Sequence, residues 1–431
     1  MSSHDGWAML GQGGPSRYRN APPIAPLVER IQRDFLPRWH QEWGGKFILH
    51  GRPPEARAVH LDGNDYLGLS VHPDIVQAQI QSLRESAEGV VQSAVFHLDE
   101  HPSRRLARDI AQWMGKEDGF VCQSGFAANV GLLQTIADAQ LPVYIDALAH
   151  ASLWEGAHVA RAPIQAFRHN DLGHLQRVIA RHGPGVVVVD SVYSTTGAIC
   201  PLPELVDLVE QMGCMLVVDE SHSLGTHGPG GAGLCAQWGL SDRVHFITAS
   251  LAKAFAGRAG FFTMPSALRH FMLTNNNANI FSSGLLAHEI AGLAATLKVV
   301  QASDAARARL MAHTRRLRAS FLSMGYPITH GSEQIIALEA GREADTMVLR
   351  DAFEAHGVYG AIFCAPATSK NRSMLRLTLS ASLSDEDVER VEAAARAVAA
   401  LVEPWHWPIA RRSQARAPDL SHKPEHAQVL S

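Results

Sequence analysis

A chain of 431 residues, 46% apolar and 19% charged, is long enough for two domains or one large α/β unit. Its net charge of −4 gives no electrostatic basis for binding nucleic acid or an anionic membrane surface, and no apolar run approaches the roughly 20 residues of a membrane span. Five cysteines without a CxxC, and a start lacking a basic segment followed by an apolar one, fit a reduced cytoplasmic protein; the 23 His form no HExxH or Cys/His cluster, so no metal site is expected.

Residues 1–22 are rich in Gly, Pro and Ser and read as a loose arm. A helix follows, with Leu27, Val28, Ile31 and Phe35 on one face, until Pro37 interrupts it. The stretch from His60 to Gly68 reads as a turn built on Asp, Gly and Asn, which can also line a site. Residues 103–115 form a helix ending at Gly115, with Leu106, Ile110 and Trp113 inward. The short strand Gly119–Cys122 then enters Gln123-Ser124-Gly125-Phe126-Ala127-Ala128-Asn129. Small residues there open a helix directly after a strand, and its N–H groups and dipole make a seat for phosphate, although a plain strand-to-helix turn has the same composition. Val143–Asp146 is a buried strand followed by His150. A lone His in that place is structural unless a flat ring lies above it, on which the imidazole would stack.

Val186-Val187-Val188-Val189-Asp190 is the clearest strand, leading into Ser191-Val192-Tyr193-Ser194-Thr195-Thr196-Gly197. The next helix starts at Pro201 and Pro203, turns Leu205, Val206 and Val209 inward and ends at Gly213. Two more strands each end in polar residues: Leu216-Val217-Val218-Asp219-Glu220-Ser221-His222, and His245-Phe246-Ile247-Thr248-Ala249-Ser250-Leu251-Ala252-Lys253. Repeated strand–helix–strand units imply a mainly parallel sheet with right-handed crossovers. Gly228-Pro229-Gly230-Gly231-Ala232-Gly233 has GxGxxG spacing but follows no strand directly and opens no clear helix, so it reads as a flexible loop. A helix over 304–324 leads to a smaller α+β unit with strands at 335–340, 358–364 and 374–380 and helices at 344–356 and 385–401. Ser384 and Asp387 form a capping-box-like start for the last helix, and from Glu403 the chain reads as a tail.

An acid after one strand and a lysine after the next suit a cofactor with a ring nitrogen at one end and an aldehyde at the other, which is pyridoxal phosphate (PLP). Its chemistry needs a Schiff-base lysine, a carboxylate at the ring nitrogen, donors for the phosphate and a fork for the substrate carboxylate. Lys253, Asp219, the set Ser124, Gly125, Phe126 and Ser250, and Arg376 fill these places in order. His150 would stack on the ring, with Ser194 and His222 near its phenolic oxygen. Taken singly, each has a plainer reading: a solvated lysine, a helix cap at Asp219, an edge-strand arginine at 376. The joint order carries the inference.

Asp219-Glu220-Ser221-His222-Ser223-Leu224-Gly225, Ser250-Leu251-Ala252-Lys253, Asn64-Asp65-Tyr66-Leu67-Gly68, Ser124 to Asn129, His150-Ala151-Ser152-Leu153 and Arg376-Leu377-Thr378-Leu379 together resemble the α-oxoamine synthase family over roughly residues 55–400. Within it, Leu61 to Leu67, Ser152 to Ala157, Arg181 to Gly185, Asp219 to Pro229 and Pro366 to Asn371 are most similar to the branch that makes α-hydroxyketone autoinducers. The resemblance implies a PLP-dependent transferase of fold type I. The expected division is an arm and helix over 1–60, a large PLP-binding domain over 61–310, a small C-terminal domain over 311–402 and a tail over 403–431. It implies a homodimer in which Ser282 and Ser283 reach the partner's phosphate, with Asn64 and Arg376 binding substrate. It further implies a decarboxylative condensation in which Lys253 removes the α-proton of an amino acid, the carbanion attacks an acyl-CoA thioester, and His222 steadies the oxyanion. Two segments depart from the family pattern, Ser93 to His101 and Thr195-Thr196-Gly197, and both lie where substrate would be selected.

The leading expectation is thus an acyl-CoA acyltransferase that uses 2-aminobutyrate or S-adenosylmethionine and a medium- or long-chain acyl-CoA to make an α-aminoketone signal precursor. Alternatives are an 8-amino-7-oxononanoate synthase or 2-amino-3-ketobutyrate CoA ligase using alanine or glycine, a PLP-dependent lyase or aminotransferase needing no thioester, and a non-catalytic PLP binder.

Overall fold

In the computed structural model, which describes residues 25–49, 51–85, 91–328 and 330–410, eleven strands form two sheets. They are β1 (Val59–Leu61), β2 (Asp118–Cys122), β3 (Val143–Asp146), β4 (Ile164–Phe167), β5 (Val186–Asp190), β6 (Met215–Asp219), β7 (Phe246–Ser250), β8 (Gly260–Met264), β9 (Ile335–Gly341), β10 (Val358–Phe363) and β11 (Ser373–Thr378). The larger sheet has the order β2-β8-β7-β6-β5-β3-β4, with β8 antiparallel to both its neighbours and the remaining pairs parallel. The architecture is α/β, a mainly parallel large sheet with a smaller mixed sheet beside it.

Every residue of β5 is buried, and so are the last four of β6, which explains their unbroken β-branched and aliphatic runs: both faces of these strands are covered by helices. The register pairs Asp190 with Asp219, and Asp219 with Thr248, so the polar carboxyl ends of β5, β6 and β7 lie side by side. A parallel sheet places its ligand chemistry at that edge. The helix Gly125–Ile136 begins there too, capped by Ser124, whose hydroxyl accepts from Ala127 N at 3.1 Å.

The smaller sheet, β1-β10-β11-β9, packs against Glu343–Ala355 and carries the Arg376 strand in its interior. β1 joins this sheet by pairing in parallel with Val358–Gly360. The stretch from His60 is therefore strand as far as Leu61 and turn only afterwards. The final helix, Asp385–Val402, starts with a capping box in which Asp387 N donates to Ser384 Oγ at 3.1 Å and Ser384 N donates to Asp387 Oδ2 at 3.0 Å.

Pro37 does not end its helix. The helical path continues to Glu42 in wide turns over Ile31–Phe35 and Arg38–Glu42, which leave room for a ring that would otherwise clash with the carbonyl four residues back. The expected arm at 1–22 lies outside the described residues, as does the tail beyond residue 410. The last described residues pack: Trp407 lies edge-on to Tyr326 at 5.9 Å and donates Nε1–H to the Val402 carbonyl at 3.3 Å. No helix among the described residues is long and apolar enough to cross a membrane.

The glycine-rich loop over 228–233 is packed, contrary to the flexible loop expected, and a short helix, Leu234–Gln237, does open on it. Glu220 is the reason. Its carboxylate has no exposed surface and accepts from Leu234 N at 3.0 Å, Cys235 N at 2.6 Å and Ser223 Oγ at 3.0 Å. A Cβ on Gly233 would fall inside that carboxylate. The amides that a dinucleotide would need are already used by a side chain of the same protein.

Candidate active site

Asp219 ends β6 almost fully buried, at 3% exposure. Asn129, from the helix that Ser124 caps, donates Nδ2–H to Asp219 Oδ2 at 2.7 Å, and Ser221 N donates to Oδ1 at 2.8 Å. The same Asn129 amide donates to Ser152 Oγ at 2.9 Å, and Ser152 Oγ bonds His150 Nδ1 at 2.7 Å. His150 N donates to Asp190 Oδ1 at 3.2 Å. One hydrogen-bonded chain thus runs from the acid of β6 through the helix Gly125–Ile136 to the histidine after β3 and back to the acid of β5. Asp219 forms no ion pair among the described residues. Two fixed donors hold it as an acceptor, as a partner for a protonated ring nitrogen must be.

Lys253 follows β7 and keeps some accessible surface. Burial lowers its pKa, opposed by the negative field of Asp219 and reinforced by the cation of Arg376. The lysine amine therefore spends more of its time neutral and nucleophilic at pH 7 than a surface lysine does. Burial likewise lowers the pKa of His150, against the opposing field of Asp219. His222 is pushed well below the usual range, first by burial and then by the charges of Lys253, Arg376 and His150. Lys253, His150, His222 and Arg376 act on one another in a single electrostatic neighbourhood.

Arg376, on β11, is 4% exposed. Its Nη1 donates to the Ser194 carbonyl at 2.9 Å, its Nη2 donates to Asn64 Oδ1 at 3.0 Å, and the group lies 4.4 Å above the Phe363 ring. Its Nε is buried without a partner, so a five-donor fork has donors to spare. It meets no carboxylate of the protein among the described residues. A buried guanidinium in that condition suits an anionic substrate group.

Ser124 and Ser250 meet at the opposite end. A Cβ on Gly125 would come 2.5 Å from Ser250 Cβ and 2.8 Å from Ser250 Cα, so glycine alone lets the helix start press onto the β7 end. Ser250 N donates to Ser221 Oγ at 2.7 Å, fixing that corner. The Phe126 ring is half exposed. Ser282 Oγ donates to Gln123 Oε1 at 3.0 Å, and the Gln123 amide bonds the Ser283 carbonyl, so these two serines stand beside the seat.

The structure thus places Lys253, Asp219, His150, His222 and Ser194 past the carboxyl ends of the larger sheet's strands, with Ser124, Gly125 and Ser250 at the start of the helix Gly125–Ile136, while Arg376 comes from the smaller sheet and Asn64 from the turn after β1. Tyr66, Asn129, Ser152, Asp190 and Gln334 belong to the same assembly without having been assigned a role from sequence. Asn129 had a signal, being a buried amide among the apolar residues of its helix.

Residues 56–394 match the family model of class I and II aminotransferases. The chain is 43% identical over 370 residues to the CAI-1 autoinducer synthase of Vibrio campbellii, covering 86% of this chain and 94% of that one. This chain is an α-oxoamine synthase. Another curated relative, a putative 8-amino-7-oxononanoate synthase of Halalkalibacterium halodurans, is 28% identical over 336 residues, 77% of this chain and 85% of its own. Among solved structures, a serine palmitoyltransferase from S. paucimobilis with a bound PLP–myriocin aldimine superposes with a TM-score of 0.76 at 25% identity, over 80% of this chain and 88% of that one. The α-oxoamine synthase described here is a PLP-dependent acyltransferase, and its held Asp219, its Lys253 with a pKa lowered by burial and its glycine-cradled corner fit that cofactor.

Proposed function

We propose that this enzyme condenses a medium- or long-chain acyl-CoA with 2-aminobutyrate or S-adenosylmethionine, releasing CoA and carbon dioxide and leaving an α-aminoketone precursor of an α-hydroxyketone autoinducer. The observation that carries this reading is the buried Arg376–Asn64 pair with unspent donors, in the electrostatic neighbourhood of Lys253; it suits an amine that bears a carboxylate. Likeness to the CAI-1 autoinducer synthase supports the role in making an autoinducer.

Asp219 would face the ring nitrogen of PLP, Ser124, Gly125, Phe126 and Ser250 the phosphate, His150 the ring face, and Lys253 the aldehyde carbon. Bound PLP supplies an electron-accepting ring that stabilises negative charge at the substrate's α-carbon. Arg376 and Asn64 hold the carboxylate, which fixes the α-carbon in one place. Lys253, its amine made more basic-form at neutral pH by burial, takes the α-proton. The α-carbon then bonds the thioester carbon, the carbon–sulfur bond breaks to release CoA, and His222 donates a hydrogen bond to the oxygen that gains charge; the bond from the α-carbon to the carboxylate then breaks, releasing carbon dioxide, and the α-carbon takes a proton in its place. Ser194 sits beneath Arg376, lending its carbonyl to the guanidinium.

We also propose that the enzyme works as a homodimer, with Ser282 and Ser283 at the interface. Ser93 pairs with Ser283, which draws Phe96, Leu98 and Phe281 into one area. These residues are 69%, 80% and 81% exposed, large apolar side chains of the kind that mark an interaction surface when they lie together. The test of function is release of CoA from decanoyl-CoA by PLP-loaded enzyme with each amine, with the product identified by mass spectrometry. Release with either proposed amine and not with glycine or alanine is expected. Preference for alanine or glycine would assign the enzyme to the biosynthetic synthases, and amine turnover without acyl-CoA to the lyases or aminotransferases.

A further inference from the structure

Tyr66 stands on the turn after β1 and has no exposed surface. Its phenol oxygen lies 2.5 Å from His222 Nδ1. We propose that Tyr66 is a positioning residue that fixes His222 in the tautomer carrying its proton on Nε2, so that His222 enters the site as a hydrogen-bond donor and not as a base. This rests on the place given to His222 above.

A phenol beside an imidazole nitrogen can pair in two ways: the O–H donates to Nδ1, or Nδ1–H donates to the phenol oxygen. Gln334 Nε2 donates to the His222 carbonyl at 2.7 Å, which fixes the backbone that carries the imidazole. Among the described residues, His222 Nδ1 is the hydrogen-bond partner of the fully buried Tyr66 phenol. If Nδ1–H donated, the phenol's own hydrogen would be buried with no acceptor; with the phenol donating, neither group of the pair is left over.

Protonation agrees with this count. Burial raises the Tyr66 pKa and lowers that of His222, so the phenol keeps its hydrogen and the imidazole holds only one. With Nδ1 accepting, that one proton sits on Nε2. No hydrogen bond engages Nε2 among the described residues, while the charges felt by the ring belong to Lys253, Arg376 and His150. A neutral N–H donor among these groups matches an oxygen that becomes negative. It leaves Lys253 as the group that accepts a proton. The partners come from three separate parts of the fold, the turn after β1, the loop after β6 and the entry to β9, so the tautomer is set only when all three are in place.

The test is nitrogen NMR of protein with isotope-labelled histidine, the His222 signal being assigned by its loss in His222→Gln. The Nε2–H tautomer is expected in the wild type with and without PLP, and a mixed or Nδ1–H tautomer in Tyr66→Phe. A wild-type His222 bearing its proton on Nδ1 overturns the proposal and needs no variant that must fold. An unchanged tautomer in Tyr66→Phe overturns it as well. In kinetics, Tyr66→Phe should lower kcat roughly 10- to 100-fold, the usual penalty for losing the group that orients a working histidine, with KM for the amine unchanged. A rise in KM alone, with kcat intact, contradicts it. The tautomer is read without substrate, so failure of acyl transfer would defeat the functional reading and leave this one standing.

Discussion

Arg376 matters for what it is not bonded to. Two of its nitrogens are engaged, Nε is buried and unpartnered, and no protein carboxylate among the described residues neutralises it. Arg376→Lys keeps the charge but loses the fork, and a lost hydrogen bond to a charged group is worth about 1.5–3 kcal/mol. Steady-state kinetics should show KM for the amino acid rising roughly 10- to 100-fold with a smaller change in KM for the thioester. Lys253, Asp219 and Arg376 were legible in the sequence because each is a charge set where a strand's apolar run predicts burial, and a buried charge needs a purpose. Tyr66 and Gln334 were not legible. Their partner, His222, lies 156 and 112 residues away, and nothing local to a tyrosine or a glutamine marks such a contact. Asp190 was read only as the end of a strand; its pairing with Asp219 is a matter of register between strands, which a single strand cannot reveal.

Among the elements, the glycine-rich loop taught the most. Its GxGxxG spacing suggested either a dinucleotide cradle or slack, and the buried carboxylate of Glu220 explains why it is neither. Gly233 has φ +99 and no room for a Cβ against Glu220. Gly233→Ala should therefore lower the denaturant midpoint by the equivalent of about 1–3 kcal/mol from backbone strain alone. The segment Ser93 to His101 makes a pH prediction. His97 and His101 stack at 3.6 Å, and both bond Ser103 Oγ. Burial lowers the His97 pKa to about 4, with the nearby His101 adding to the shift. A histidine depressed in the fold binds its proton more readily when unfolded, so its contribution is whole above pH 6.5 and lost as pH falls toward about 4. His97→Gln should flatten that part of a plot of unfolding midpoint against pH; an unchanged slope would contradict the assignment. β5, β6 and β7 were readable from their apolar runs. β4 was missed because it is a four-residue edge strand, half exposed, and β8 because a reversed strand looks like any other in sequence.

At the scale of the molecule, the two sheets supply different parts of one site: the larger gives Asp219, Lys253, His150 and His222, the smaller gives Arg376. β1 carries the chain from the smaller sheet into the turn that holds Asn64 and Tyr66, so the earliest strand ties the two halves of the chemistry. The exposed patch around Phe281 belongs to the proposed dimer. Phe281→Asp should raise the dimer dissociation constant at least roughly 10-fold, since burying an unpaired charge at an apolar contact costs several kcal/mol, and sedimentation at graded concentrations would detect it. A variant that sediments like the wild type at every concentration would move the interface elsewhere. The central claim, that Lys253 and Asp219 hold PLP between them, is tested most directly by loading the purified protein with the cofactor, reducing it with borohydride and mapping the label by mass spectrometry. A yellow absorbance band before reduction and a single labelled peptide containing Lys253 are expected, both absent in Lys253→Ala. Label scattered over surface lysines, or no band at all, would contradict it.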